Sequence, residues 1–538
     1  MVRAGSISLI LYCLTIGLSS AQDRYMVFFT DKSGTTFSTS NPQQFLSSRA
    51  IARRQRQQIA IAENDLPVNQ TYVEALETLG AETYFTTKWM NGVLIQAEPG
   101  LIGAIEALSF VDRTEYVGPD APLSADGSDS DGAESAQGAE STQSDFQNDM
   151  IGISAMHQAG FEGQGMLIAV FDEGFNNLSS IPAFDHLFQE NRILYTHDFT
   201  INRSNVENNV THGRRVLSVL AARSEELTGT APEASFILSI TEASGEYRVE
   251  EYNWLFAAEK ADSAGVDIIN TSLGYNLFLD PSMDYSLSDM DGRTTVITRA
   301  TNIAASKGIA LVTSAGNTGQ SQLWPIITAP GDSPHNLAVG SVNAALQKAR
   351  ISSVGPSADN RVKPDVAALG VSTAVTGTDG SVTFSDGTSF ASPLIAGLMA
   401  GVWQVYPDLT ANELLNLIRL SGSQYNNPDN QIGFGIPNFI TTVQIAGEIG
   451  LPVVEDLTVY PNPVSDSFVN LAFDTSFFNR EVRVELVRTN GQVINEYNFI
   501  PTERDNRIQI GLGDNPPGLY LLKVVGQGGS FAKKLIRL

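Results

Sequence analysis

Cysteine is almost absent from this chain. The single thiol, Cys13, lies near the start, so no intrachain disulfide can form, and no thiolate metal site or cysteine nucleophile exists beyond that point. Positive charge is scarce as well: 33 lysines and arginines face 59 aspartates and glutamates, for a formal net charge of −26. A surface of that sign repels nucleic acid and anionic lipid and argues against both as partners. Long apolar runs are missing too. The early run Ile7 to Leu18 is too short to cross a bilayer, and no later stretch is long enough. It lies between Arg3 and Ser19-Ser20-Ala21, the order of a secretory signal cut after Ala21, so residues 1–21 are expected to be removed. Histidine is limited to His157, His186, His197, His212 and His335, which leaves few candidates for a general base.

A secreted chain without disulfides must be stabilised by a large core, and 538 residues are enough for about two to four domains. Residues 22–118 read as a small α+β unit, with strands at Tyr25–Phe29, Val93–Ile95 and Glu115–Val117. Helices are expected at Phe45–Ala62, Val73–Leu79 and Ile102–Leu108. Residues 119–149 are rich in Ser, Gly, Ala and acid and have no lysine or arginine, the composition of a flexible linker. From 150 to about 450, continuous apolar runs alternate with helical patterns. The runs are Gly165–Phe171, Ser235–Ile240, Val266–Asn270, Ile309–Thr313 and Leu337–Val342. Strands buried on both faces and separated by helices imply an α/β layer structure with a mostly parallel sheet. After Pro452 the helical signals stop, and residues 453–538 read as an all-β sandwich.

The stretch Phe384–Trp403, FSDGTSFASPLIAGLMAGVW, organises the chemistry. It starts as a Gly-containing loop and becomes an apolar helix, with Pro393 expected in the first turn and Ser389 at the mouth. Gly397 and Gly401 are expected to admit a close neighbouring strand. His212 also opens an apolar helix, and Asp172 ends a strand. Nucleophile, base and carboxylate are the three parts an acyl-transfer hydrolase needs. Asn317, in Thr313-Ser-Ala-Gly-Asn-Thr318, can donate to an oxyanion together with the Ser389 N–H. The other four histidines have no supporting pattern.

Taken together, these residues resemble the subtilisin-type serine proteases. The matching segments are the strand ending in Asp172, Thr211-His212-Gly213, Asn270-Thr-Ser-Leu-Gly274, Ala315-Gly-Asn317, Val362-Lys-Pro-Asp-Val366 and Gly387-Thr-Ser-Phe-Ala-Ser-Pro393. The resemblance implies a three-layer fold over residues 150–450, with Asp172, His212 and Ser389 as triad and Asn317 as oxyanion donor. It also implies that Ser272, Leu273 and Gly274 pair with substrate backbone. Arg214-Arg215 after His-Gly, and Glu173 after the Asp, depart from the family pattern.

Residues 25–118 resemble inhibitory propeptides, and Ser47-Ser48-Arg49-Ala50 with Lys88-Trp89 resemble those of Bacteroidetes-type members. Residues 453–538, with Val459-Tyr-Pro-Asn-Pro463 and Lys533-Lys-Leu-Ile536, resemble a type A sorting domain of the type IX secretion system. The implied protein is a secreted or surface zymogen exported through the periplasm. Its implied partners are polypeptide substrates, its own propeptide and the outer-membrane secretion machinery. No cofactor is expected for catalysis and no metal ligand is assigned. A structural calcium is compatible with the family, Asp289-Met-Asp291-Gly being the one suggestive turn. Two other readings are an inactive subtilase-fold adhesin or scaffold and a C-terminal carbohydrate- or protein-binding module.

Overall fold

A computed structural model describes residues 22–119, 142–243, 245–448, 458–460, 462–465, 467–473, 477–478, 480–488, 492–502, 506–513, 515–526 and 529–538. The expected signal, 1–21, lies outside these residues, as does most of the expected linker. Two compact units divide the chain, the second starting at Ala446.

The N-terminal part of the first unit carries β1 (Asp23–Phe29), α1 (Ser48–Arg56), α2 (Gln70–Leu79), β2 (Glu82–Thr87), β3 (Gly92–Ala97), α3 (Ile102–Glu106) and β4 (Val111–Gly118). Its sheet has the order β2-β3-β1-β4, with every pairing antiparallel. Val27, Val93, Ile95, Leu76 and Ile105 form the core between this sheet and its helices. The opposite face, with Met26, Phe28 and Leu94, joins the core of the following domain.

That domain begins with α4 (Thr142–Met150) and α5 (Ile153–Gln158), then β5 (Leu167–Asp172), α6 (Asp185–Gln189), β6 (Ile193–Asp198), α7 (His212–Ala221), β7 (Ser235–Ile240), α8 (Val249–Ala264) and β8 (Ile268–Thr271). It continues with α9 (Val296–Ser306), β9 (Ala310–Ser314), β10 (Leu337–Val342), β11 (Val366–Leu369), β12 (Thr373–Thr376), β13 (Val382–Ser385), α10 (Thr388–Val405), α11 (Ala411–Leu420) and α12 (Phe439–Glu448). Seven strands form a parallel sheet in the order β11-β10-β9-β8-β5-β7-β6. β5, β7, β8, β9 and β10 are the apolar runs read from the sequence, and helices pack on the sheet as expected for an α/β domain.

Three expectations need correction. The linker assigned through Asp149 ends sooner, because Thr142–Met150 is helical and docked. Gln147 exchanges both amide groups with the backbone of Ala374 on β12, and Asn148 donates to Thr228 O at 2.9 Å. Polar side chains hold this helix by pairing with backbone, which the composition concealed. Next, α10 starts at Thr388, so Pro393 sits in the second turn rather than the first. Finally, the atoms nearest Gly397 and Gly401 belong not to a strand but to the loop before β7 and to α5. A Cβ at Gly397 would lie 1.9 Å from Thr230 Oγ1, and one at Gly401 would lie 2.1 Å from Met156 Sδ on α5. Around these contacts Leu394, Ile395, Leu398 and Met399 are fully buried, each contributing about 1.5–3 kcal/mol of apolar burial.

The second unit carries β14 (Thr458–Tyr460), β15 (Phe468–Ala472), β16 (Val482–Arg488), β17 (Val493–Phe499), β18 (Arg507–Gly511), β19 (Gly518–Gly526) and β20 (Gly529–Arg537). One sheet has the order β14-β15-β18 and the other β17-β16-β19-β20. Val469, Leu471 and Ile510 from the first pack with Val484, Leu486, Leu522, Val524 and Leu535 from the second. This is the sandwich expected from alternating side chains.

Candidate active site

The candidate residues meet at the carboxyl edge of the parallel sheet. β5 ends in the fully buried Asp172, and α7 opens with His212, 5% exposed. Gly213 makes their approach possible. A Cβ there would lie 2.7 Å from Gly174 O and 2.8 Å from Asp172 Cβ, so any larger residue would push the helix off the strand end. With the gap closed, His212 Nδ1 stands 2.5 Å from Asp172 Oδ1, which also accepts the Glu173 N–H at 2.9 Å. The turn after Asp172 is tied down by Phe175 N to Val206 O and Asn176 N to Val210 O. Arg214, the departure after His-Gly, is fully buried and donates to Asn176 O at 2.9 Å. It braces the same turn.

Ser389 occupies the first turn of α10, 5% exposed, with its Oγ 3.3 Å from Ser272 O. The His212 ring lies 5.8 Å from that of Phe390, the next residue, which brings the α7 and α10 N-termini together. Pro393 removes the N–H that would bond to Ser389 O four residues earlier. Ser272 Oγ takes its place, donating to Ser389 O at 2.8 Å, and it also lies 3.1 Å from Ser392 Oγ. The Ser272 side chain therefore anchors the helix that carries Ser389. Sequence reading gave this residue only a backbone role. A proline four residues after the serine was the available signal.

Asn317 follows Gly316, whose φ is +103°, and a Cβ at Gly316 would lie 2.9 Å from both Thr328 Oγ1 and Ser353 Oγ. Asn317 Oδ1 accepts from Thr388 N and Thr388 Oγ1, both at 2.9 Å. Two donors on the carbonyl end orient the amide, leaving Nδ2 on the Gly387 side, 3.6 Å from where a Cβ would stand. Thr388 is thus a positioning residue that sequence reading passed over.

Leu273 is buried and its carbonyl accepts from Ser314 Oγ at 3.3 Å, whereas Gly274 is exposed. Tyr275 then bridges Ala329 in antiparallel fashion. Gly274 must lack a side chain, because a Cβ would fall 2.2 Å from Thr328 Oγ1.

At the suggestive calcium turn the carboxylates are engaged by neighbouring protein groups. Asp289 accepts from Ser286 N and Oγ, both at 2.7 Å, and Asp291 accepts from Arg293 and Thr294. Among the described residues no group of three or more His, Cys, Asp or Glu is placed to hold a metal ion. His157 Nε2 contacts Thr230 O, His197 packs against Phe85 and Phe199, and burial lowers the pKa values of His186, His197 and His335.

The N-terminal domain is locked to α8. Ser47 N and Oγ donate to Ser263 O and Ala264 O, both at 2.9 Å, capping the end of that helix. A Cβ at Gly265 would fall 2.7 Å from Ala50 N, so only glycine permits this approach. Asp262 is fully buried between Arg53 (2.5 Å), Arg54 (2.8 Å) and Lys88 (3.5 Å). Glu259 accepts from Thr87 Oγ1, Lys88 N and Trp89 N at 2.5–3.0 Å.

Comparison with known proteins agrees with this geometry. Residues 24–132 match the peptidase S8 propeptide domain of Bacteroidota, and residues 458–537 match the secretion system C-terminal sorting domain. Subtilisin NAT of Bacillus subtilis subsp. natto is 29% identical over 282 residues, covering 52% of this chain and 65% of that relative's length. A subtilisin of Bacillus pumilus is 29% identical, covering 48% of this chain and 84% of the relative. The crystal structure of the epidermin leader peptide processing serine protease of Staphylococcus aureus shares the fold at 15% identity. Its TM-score is 0.55, covering 79% of this chain and 99% of that one. None of these likenesses supports an inactive scaffold. Residues 163–435, just over half of the chain, match the subtilase family model, and the chain belongs to the subtilase family.

Proposed function

We propose that this chain is a serine endopeptidase made as a zymogen and exported to the medium or the cell surface. The observation that carries the reading is the Asp172–His212 pair at 2.5 Å, set beside the helix mouth that holds Ser389. A neutral imidazole that gives its Nδ1–H to Asp172 presents Nε2 on the other side of the ring as the base. His212 takes the Ser389 proton, Ser389 Oγ attacks the scissile carbonyl, and His212 returns the proton to the leaving amine. Asp172 keeps the tautomer and stabilises the imidazolium. Asn317 Nδ2 and the Ser389 N–H receive the oxyanion, the latter at the positive end of α10. Residues 272–274 pair with the substrate backbone, Gly274 being the exposed member. Base, nucleophile and oxyanion donors are all protein groups, so the chemistry needs no cofactor.

The contacts of residues 47–54 and 87–89 with α8 support a propeptide role for residues 22–118, released by a cut in the segment that follows. The match of 458–537 to a sorting domain supports delivery by outer-membrane secretion machinery after passage through the periplasm. Secreted wild type should incorporate a fluorophosphonate at Ser389, and Ser389→Ala should fold, be exported and show no peptidase activity. Near-normal turnover by Ser389→Ala would sink the assignment.

A further inference from the structure

β7, β5 and β8 are neighbours, so their three C-terminal extensions lie side by side. Asp172 ends the middle one, Glu242 lies just past the first, and Ser272–Tyr275 follow the third. The Tyr275 hydroxyl donates to Glu242 Oε1, bridging the outer two. Glu250, at the start of α8, is fully buried and accepts only the Ala243 N–H on Oε1, while its Oε2 has no hydrogen-bond partner. Glu242 is half-buried and Glu246 exposed, so the group opens outward. No lysine or arginine among the described residues pairs with Glu242, Glu246 or Glu250. The nearby Arg248 is directed at Glu115 (3.6 Å) and Glu251 (3.9 Å) instead.

Carboxylates buried without a counter-charge are costly. Burial first, then repulsion from the neighbouring acids, pushes the Glu250 carboxyl well above its usual range. A ligand that brought donors and a positive charge would relieve both costs. The propeptide shows the path by which a polypeptide reaches this place. Glu115 accepts from Tyr252 OH at 2.7 Å, and Gly118 lies against Tyr247 and Val249. Between these two contacts the chain advances from 252 toward 247, in the direction of Glu246 and Glu242. A substrate strand paired with Ser272–Gly274 would place its upstream side chains near Tyr275 and so near Glu242, which the Tyr275 hydroxyl contacts.

We propose that Glu242, Glu246 and Glu250 form a substrate subsite that takes a lysine or arginine side chain upstream of the scissile bond. The proposal deepens the endopeptidase reading and rests on it. An ammonium or guanidinium there donates to Glu250 Oε2 and neutralises the cluster. Residues 120–149 contain neither lysine nor arginine, so the linker is a poor substrate for the enzyme it joins, and cleavage there is slow relative to basic peptides.

The test uses the secreted, activated protein, with active sites titrated by a fluorophosphonate so that misfolded material does not count. Internally quenched peptides would carry Lys, Arg, Gln or Glu at each upstream position in turn. At one of these positions Lys and Arg should raise kcat/KM about tenfold to a hundredfold over Gln, with Glu the poorest. Glu242→Gln should bring that ratio toward one. The exposed Glu246→Gln, which carries no folding risk, should lower it by a smaller factor. Equal rates for Lys and Gln at every upstream position, or a preference that survives Glu242→Gln, would overturn the subsite. A wild-type chain that takes no label and cuts no peptide would overturn the endopeptidase reading itself, and the subsite with it.

Discussion

The two ends of α8 bury acids in opposite ways. At its start Glu250 and Glu251 are fully buried near the positive pole of the helix, compensated by backbone N–H groups, a tyrosine and, for Glu251 alone, the distant Arg248 at 3.9 Å. Toward its end Glu259 and Asp262 lie near the negative pole, where an acid is unfavourable. There Arg53, Arg54 and Lys88 of the N-terminal domain supply the missing charge. Paired burial makes an interface, whereas unpaired burial leaves groups ready for a ligand or a proton. The helix dipole accounts for part of this division. The rest is a matter of which domain supplies the partner: the cations at the far end belong to the propeptide domain.

Breaking the paired end should have the larger effect. Arg53→Ala with Arg54→Ala leaves buried Asp262 with only Lys88 at 3.5 Å and Asp65 with only Lys307 at 2.9 Å, a loss of up to about 3–5 kcal/mol, the range for breaking a buried pair. Urea unfolding of the Ser389→Ala zymogen would measure this. Adding Asp262→Leu, with methionine and leucine in place of the arginines, should restore most of the loss, since an apolar set of similar volume often substitutes for a buried ion network.

The unpaired end should respond to pH. Burial pushes the Glu251 carboxyl up to about 7, so between pH 4.5 and 7 the native state holds a proton that the unfolded chain has released. Stability from this group is present below about pH 4.5 and lost as pH rises through 7. The span is about 3 kcal/mol. Burial raises Glu242 and Glu250 in the same direction. Urea midpoints from pH 5 to pH 8 should fall steadily, and Glu251→Gln should flatten the slope. A midpoint that rises with pH over this range would contradict the contrast between the two ends.

The smallest effect concerns a neutral hydrogen bond. Ser272→Ala removes the donor to Ser389 O and should cost about 1 kcal/mol. It should lower kcat more than it raises KM, because the nucleophile's seat loosens. In that background Pro393→Ala restores an N–H to the helix and should recover part of the loss. The same change in wild type has no open carbonyl to satisfy.

What the sequence disclosed follows the same division between buried and marginal groups. Central strands such as Ser235–Ile240 and Leu337–Val342 were legible to the residue, because burial on both faces demands an unbroken apolar run. The strands it did not disclose, β2, β6, β11 and β17, all lie at sheet edges, and β12 with β13 forms a separate pair. Edge strands carry mixed side chains such as ILYTHD and VINEYNF, so their pattern fades. Asp172, His212, Asn317 and Ser389 were legible because each follows a strand or opens a helix, where chemistry collects in α/β sheets. The residues that orient them were not. Thr388 and the Ser272 hydroxyl act through contacts spanning 71 and 117 residues, and no local pattern records such distances.

The rung that Pro393 leaves open also bears on when this chain becomes dangerous. An ordinary helix completes its hydrogen bonds alone, as soon as it forms. α10 cannot, because the carbonyl left over belongs to Ser389 and its donor comes from the end of β8. The nucleophile's residue is therefore fully held only after distant parts of the sheet have assembled. A half-folded chain carries every reactive side chain, yet the serine's backbone is still unsecured. Under the proposed function, competence to cut is thus tied to completed tertiary structure, a safeguard for a cell that must synthesise a protease before exporting it.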